Sequence, residues 1–129
     1  MSWPDEFLKQ LDYVIGGVHS SMNQDRDTMT KRMISAIENP YVTFIAHPTN
    51  RMINERPAVN VDWQKVLRAV KDYDKILEIN AQPQRLDLTY DLVKEALDMG
   101  VKFIINTDSH EMHQSVCDLI RYAWTLPSY

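Results

Sequence analysis

Three of the four histidines in this chain stand just past apolar, strand-like runs. Val14-Ile15-Gly16-Gly17-Val18 leads into His19, and Val42-Thr43-Phe44-Ile45-Ala46 leads into His47. Val101-Lys102-Phe103-Ile104-Ile105 leads into Asn106-Thr107-Asp108-Ser109-His110. An apolar run that stops at polar, metal-capable groups is how a buried parallel strand delivers side chains at its carboxyl end. Asp108 and His110 are two apart, so in extended chain they point to one side. Imidazole and carboxylate together suit zinc, manganese or iron. An isolated Asp-x-His is commonly a helix cap beside a surface histidine; its position at a strand end brings in the metal reading. A single histidine after a strand is commonly a core or surface residue, but two at successive strand ends fit that poorly. Neighbouring parallel strands lie about 4.8 Å apart, so such side chains can share an ion. The candidate ligands are His19, His47, Asp108 and His110. His113 lies past the strand end and is expected at the surface.

Something must hold these groups on one rim, and the hydrophobic pattern says what. A short helix is expected over residues 4–11, with Pro4 in its first turn and Asp5 and Glu6 at the positive end of its dipole. A strand follows over 13–18, where Gly16-Gly17 allows a close backbone approach or a bulge. Residues 25–38 carry Met29, Met33, Ile34 and Ile37 at helical spacing. Asn39-Pro40 ends that helix, because the residue before proline avoids the helical region. A strand over 42–46 and a polar loop over 50–60 come next. A helix over 61–73 presents Trp63, Val66, Leu67 and Val70. The strand over 76–79 is interrupted by Glu78, and a loop over 80–87 follows. Thr89 caps a helix over 90–99 whose stripe is Leu92, Val93, Ala96 and Leu97, and Gly100 ends it. The last strand spans 101–105, and a final helix is expected over 114–124.

Four strand–helix units in a row predict an α/β fold with a parallel sheet and right-handed crossovers. Residue pattern alone leaves two architectures open: a doubly wound open sheet, or part of a (β/α) barrel. In both, ligands sit at the carboxyl ends of the strands. His19, His47, Asn80, Asp108 and His110 all fall there.

Composition sets the outer limits. A chain of 129 residues with 44% hydrophobic and 25% charged residues reads as one ordinary globular domain. A net charge of −4 argues against binding nucleic acid through the whole surface. With one cysteine, Cys117, no internal disulfide is possible and a reducing compartment fits. No signal peptide is recognisable at the start, and no apolar run approaches the ~20 residues of a membrane span. The expectation is a cytoplasmic protein with no membrane contact.

Four segments together resemble the carboxyl-terminal half of a PHP (polymerase and histidinol phosphatase) domain. They are Gly17-Val18-His19-Ser20-Ser21, Ala46-His47-Pro48-Thr49, Leu77-Glu78-Ile79-Asn80-Ala81 and Asn106-Thr107-Asp108-Ser109-His110. The likeness is strongest to the PHP domains of bacterial and archaeal family X DNA polymerases, and it runs from about Pro4 to Tyr122. It implies a distorted (β/α) barrel of about seven strands holding up to three divalent metal ions. It implies hydrolysis of phosphate esters, and in the polymerase-linked members 3′–5′ exonuclease action or related processing of DNA ends. His19 and His47 match ligands of one ion; Asp108 and His110 match ligands of the other two. The family's first motif, a His-x-His, is missing, as are a further histidine and a bridging glutamate. The chain, residues 1–129, is therefore expected to be a single partial PHP domain beginning near the barrel's midpoint.

That departure shapes the functional expectation. Four ligands hold one ion well or two poorly, and the remainder would come from elsewhere. A half barrel has two open edge strands and an uncovered inner face. The expected remedies are a homodimer, a partner chain carrying the amino-terminal half, or flattening into an open sheet. Asn80, Arg51 and Arg85 are the candidate phosphate-binding residues, arginine because its fork matches phosphate oxygens. The plain alternative for both arginines is a solvated loop charge. The functional alternative is a catalytically inactive interaction or regulatory module built from a PHP half. A response-regulator-like domain ranks last, since the first strand would have to end in acidic residues and ends instead in His19-Ser20-Ser21.

Overall fold

The computed structural model describes residues 4–107. Asp108, His110 and His113, together with the helix expected over 114–124, lie outside them. The described elements alternate as expected. They are α1 (Asp5–Leu8), β1 (Ile15–Gly16), α2 (Arg26–Glu38), β2 (Phe44–Ile45), α3 (Trp63–Asp72), β3 (Ile76–Asn80), α4 (Tyr90–Asp98) and β4 (Lys102–Asn106).

The helices begin and end where their chemistry dictates. The Asp25 carboxylate accepts from the Thr28 amide at 3.0 Å and so caps α2. Asp62 caps α3 by accepting from the Lys65 amide at 3.3 Å, which starts that helix at Trp63 rather than at Val61. At the end of α4, Gly100 takes φ +80°. There the Val101 amide reaches back to the Ala96 carbonyl at 3.0 Å and the Gly100 amide to Leu97 at 2.9 Å. This is the left-handed stop that glycine favours. Helix α3 ends in the same way, but with Asp74 in the left-handed position at φ 51°.

All four strands are parallel and pair in chain order, β1-β2-β3-β4. A doubly wound sheet reverses its strand order at the switch point. An unreversed order with crossovers of one hand puts every helix on the same face, which is the arrangement of a barrel arc. The fold is therefore α/β and compatible with part of a (β/α) barrel. Ile45, Leu77, Ile79 and Phe103 face the helices and join Met29, Met33, Ile37, Val66, Leu67, Val70, Val93 and Ala96 in one core. Truncating a fully buried member such as Leu67 to alanine costs about 2–5 kcal/mol. On the other face, Ile15, Phe44 and Ile76 lie in one register row, with Ile104 beside Glu78 in the next.

Three expectations need correcting. The first two strands are two residues each, not 13–18 and 42–46. Gly16-Gly17 offers no side chains to pack, and β1, first in the sheet order, pairs only with β2 among the described residues. Glu78 does not interrupt β3, which runs through it to Asn80; its carboxylate is buried on the face away from the helices. Leu97 is not in the α4 stripe but 58% exposed, whereas Val93 and Ala96 carry the buried face.

Candidate metal centre

β1 and β2 hydrogen-bond side by side, and the Ala46 amide donates to the Gly16 carbonyl at 2.8 Å. That register brings the two segments beyond them together. The rings of His19 and His47 meet edge to face, with centroids 5.0 Å apart and planes at 85°. Gly17 lies beneath both. A methyl group on it would stand 3.0 Å from His19 Nε2 and 3.4 Å from His47 Cε1. The glycine thus keeps open the space where the imidazoles converge.

His47 is held from the backbone. It takes φ 30°, a conformation unusual for a side chain of its size. Its amide donates to Glu78 Oε2 at 2.6 Å. The other oxygen of Glu78 accepts from Asn106 Nδ2 at 3.0 Å. One buried carboxylate therefore ties the carboxyl end of β2 to that of β4. His47 Nδ1 is buried and has no hydrogen-bond partner among the described residues. Burial, then the nearby charges of Arg85 and His19, pull the His47 pKa below its ordinary value, so the ring is neutral at pH 7. A neutral imidazole with an unsatisfied buried nitrogen is the state a metal ligand needs. The donor pair fits a divalent ion. Among the described residues no group of three or more His, Cys, Asp or Glu converges.

The loop after His47 is fixed by a second buried carboxylate. Asp87 is wholly buried and accepts from the Thr49 amide at 3.0 Å and the Asn50 amide at 2.8 Å. Burial pushes its pKa up to about 6 against those hydrogen bonds and the pull of Arg51. Arg51 spans the same loops: its Nε donates to the Arg85 carbonyl at 2.8 Å and its Nη2 to the Leu86 carbonyl at 2.6 Å. Arg51 is thus a half-buried tie between loops, not a solvated charge. Asn80 is 1% exposed, and its Oδ1 accepts from the Gln82 amide at 3.0 Å, shaping the turn after β3. Arg85 donates from Nη1 to Asn50 Oδ1 at 3.2 Å and acts electrostatically on His47.

Of the sequence candidates, then, His19 and His47 are brought together, Arg85 stands near them, and Arg51 and Asn80 are built into the supporting loops. Four residues of this network escaped the sequence reading: Glu78, Asp87, Asn50 and Arg56, whose Nη2 donates to Asn50 Oδ1 at 3.0 Å. Glu78 had a signal, since it shares a strand face with Asn80. The other three lie in loops without periodicity.

No protein-family profile matches the chain. Individual proteins do. The DNA polymerase/3′-5′ exonuclease PolX of Bacillus subtilis is 37% identical over 112 residues, covering 87% of this chain and 20% of that protein. A protein named probable phosphatase from Thermoanaerobacter is 36% identical over 116 residues, covering 83% of this chain and 45% of the relative. Another from Shewanella is 31% identical over 113 residues, covering 81% and 42%. The chain is related to PHP-type domains. The likeness seen in its four motifs is borne out by a polymerase of the expected kind and by phosphatases. This PHP-type chain spans less than half the length of the relatives it matches. Among its described residues no helix is long and apolar enough to cross a membrane.

Proposed function

We propose that this PHP-type chain supplies one side of a metal-dependent phosphoesterase site. The observation that carries the reading is the His19–His47 pair over Gly17, with a buried His47 Nδ1 that has no partner among the described residues. His19 and His47 hold a zinc, manganese or iron ion, and Asp108 and His110 serve the same cluster. The bound ion supplies Lewis acidity and an activated water. Glu78 fixes the backbone that carries His47. Arg85 offsets charge on the phosphoryl oxygens, while Arg51 and Asn80 keep the phosphate-side loops in place. The names of the relatives support hydrolysis of phosphate esters, and the Bacillus relative supports a DNA end attacked from its 3′ side as the substrate. A cytoplasmic setting fits the single cysteine.

We further propose that the site is completed by a second β/α half, either another copy of this chain or a partner carrying the amino-terminal half. Its support is the open sheet. Tyr13, Ile15 and Ile104 are 64%, 49% and 38% exposed on or beside the face away from the helices, and β1 and β4 stand at the ends of the described sheet.

The deciding experiment is metal loading followed by hydrolysis of bis(p-nitrophenyl) phosphate. The protein should retain zinc or manganese after desalting and cleave the diester, and His47→Ala should do neither. Less than a tenth of an equivalent of metal, unrecovered on reconstitution, would leave the inactive interaction module as the better reading.

A further inference from the structure

We infer that Arg56 and Arg85, joined through Asn50, form a phosphate-binding subsite beside the histidine pair. The inference takes its ligand class from the phosphoesterase reading and adds to it a residue, Arg56, and a site with its own geometry.

Asn50 is the hub. It is 4% exposed and sits at φ 53°, a conformation asparagine tolerates better than most side chains. Its Nδ2 donates to the Val18 carbonyl at 2.6 Å, immediately before His19. Its Oδ1 accepts from Arg56 Nη2 at 3.0 Å and from Arg85 Nη1 at 3.2 Å. Two guanidinium groups thus share one neutral oxygen, which places two full positive charges side by side.

That arrangement is costly unless something answers the charge. Neither Arg56 nor Arg85 makes an ion pair with a carboxylate among the described residues. The third arginine nearby, Arg51, lies against Asp87 and donates to backbone carbonyls, so it does not answer the charge. Both cations are half-buried, and neither swings freely. Arg56 is locked by a tight turn in which its amide donates to the Met52 carbonyl at 2.8 Å and its carbonyl accepts from the Met52 amide at 2.9 Å. Its Nε also donates to the Asn50 carbonyl at 2.9 Å. The Asn50 amide also donates to the His47 carbonyl at 2.9 Å, which keeps the hub beside the second histidine. Two fixed guanidinium forks next to a histidine pair are complementary to a tetrahedral oxyanion such as phosphate, whose several oxygens can accept from both. The subsite holds a substrate phosphate while the histidine side of the rim carries the ion.

The test is titration of inorganic phosphate into metal-stripped protein, followed by calorimetry or by amide NMR shifts of Asn50 and Arg56. Parent protein should bind, and Arg56→Gln and Arg85→Gln should each weaken binding about tenfold, with Arg68→Gln on α3 unchanged. Arg56→Lys, which keeps the charge but not the fork, should fall between, and it serves if the glutamine variant fails to fold. A parent that binds no phosphate, or arginine variants that bind as the parent does, overturns the subsite. Hydrolysis by the metal-loaded parent is read separately. Phosphate binding that depends on both arginines in a protein that retains less than a tenth of an equivalent of metal, unrecovered on reconstitution, sustains the subsite and overturns the phosphoesterase reading.

Discussion

The His47 amide and the Glu78 carboxylate meet at 2.6 Å, although the residues are 31 positions apart. The contact anchors the backbone of one candidate ligand to the neighbouring strand, and through Asn106 to the strand beyond. Glu78→Gln keeps the shape but replaces one acceptor oxygen with a donor, setting it against either the His47 amide or the Asn106 amide group. The variant should bind zinc or manganese about 10–100-fold more weakly, the usual cost of losing a group that orients a ligand. Competition with a chromophoric chelator measures this. Unchanged affinity would remove Glu78 from the support of the site.

Gly17→Ala tests the space under the imidazoles. The added methyl would crowd His19 Nε2 at 3.0 Å. Since that atom is the far end of a side chain, the ring turns away at little cost to the fold. Metal affinity should drop about tenfold while the melting temperature moves by no more than a few degrees. A large loss of stability with metal affinity intact would mean the glycine serves the backbone instead.

Asp87 makes the fold sensitive to pH in an unusual direction. Its native pKa, about 6, lies above its ordinary value, 3.8. The native state therefore holds a proton that the unfolded chain has lost between pH 4 and 6, and stability from this group falls as pH rises across that window. The full difference is on the order of 3 kcal/mol. Asp87→Asn should lack this falling contribution, so the parent-minus-variant stability should decline from pH 4 to 6 in urea denaturation. The variant is expected to be weaker overall, since an amide sets a donor against one of two backbone N–H groups. A flat difference would place the native pKa near its ordinary value.

Asp74→Gly should stabilise the protein by about 0.5–1 kcal/mol, because glycine adopts the left-handed helix stop without strain. Losing the exposed Asp74–Lys102 pair at 3.6 Å offsets little of this. Thermal unfolding reads the gain, and a fall in stability would mean the ion pair outweighs the backbone.

The open inner face gives an oligomer prediction. Light scattering should return a species of at least twice 15.1 kDa for the chain alone. Ile15→Lys with Ile104→Lys should reduce it to a monomer. A stable monomer in the parent would exclude the homodimer and leave a separate partner half.

The parts legible in the sequence are those set by local pattern. Alternation of strand and helix, the stripes of α2 and α3, the stop at Gly100 and the strand-end positions of His19 and His47 all follow from side-chain periodicity and turn chemistry. What lay beyond reach depends on long-range pairing. Nothing in Asp87 or Arg56 announces that they fold onto residues 49 and 50. Nothing local distinguishes Arg51, which binds carbonyls, from Arg85, which stands by a histidine. The choice between a barrel arc and a doubly wound sheet also required strand order, which periodicity does not encode.

The end of the sheet opposite the histidines carries a different kind of feature. Lys75 Nζ donates to the carbonyls of Asn39 at 3.0 Å and Val42 at 2.5 Å, stitching the exit of α2 to the approach of β2. These bonds lie at the far end of the strands from His19 and His47. The tie between α2 and β2 and the histidine pair thus stand at opposite ends of the same parallel strands. A substitution at Lys75 should therefore loosen the junction of α2 and β2 without touching the histidine pair.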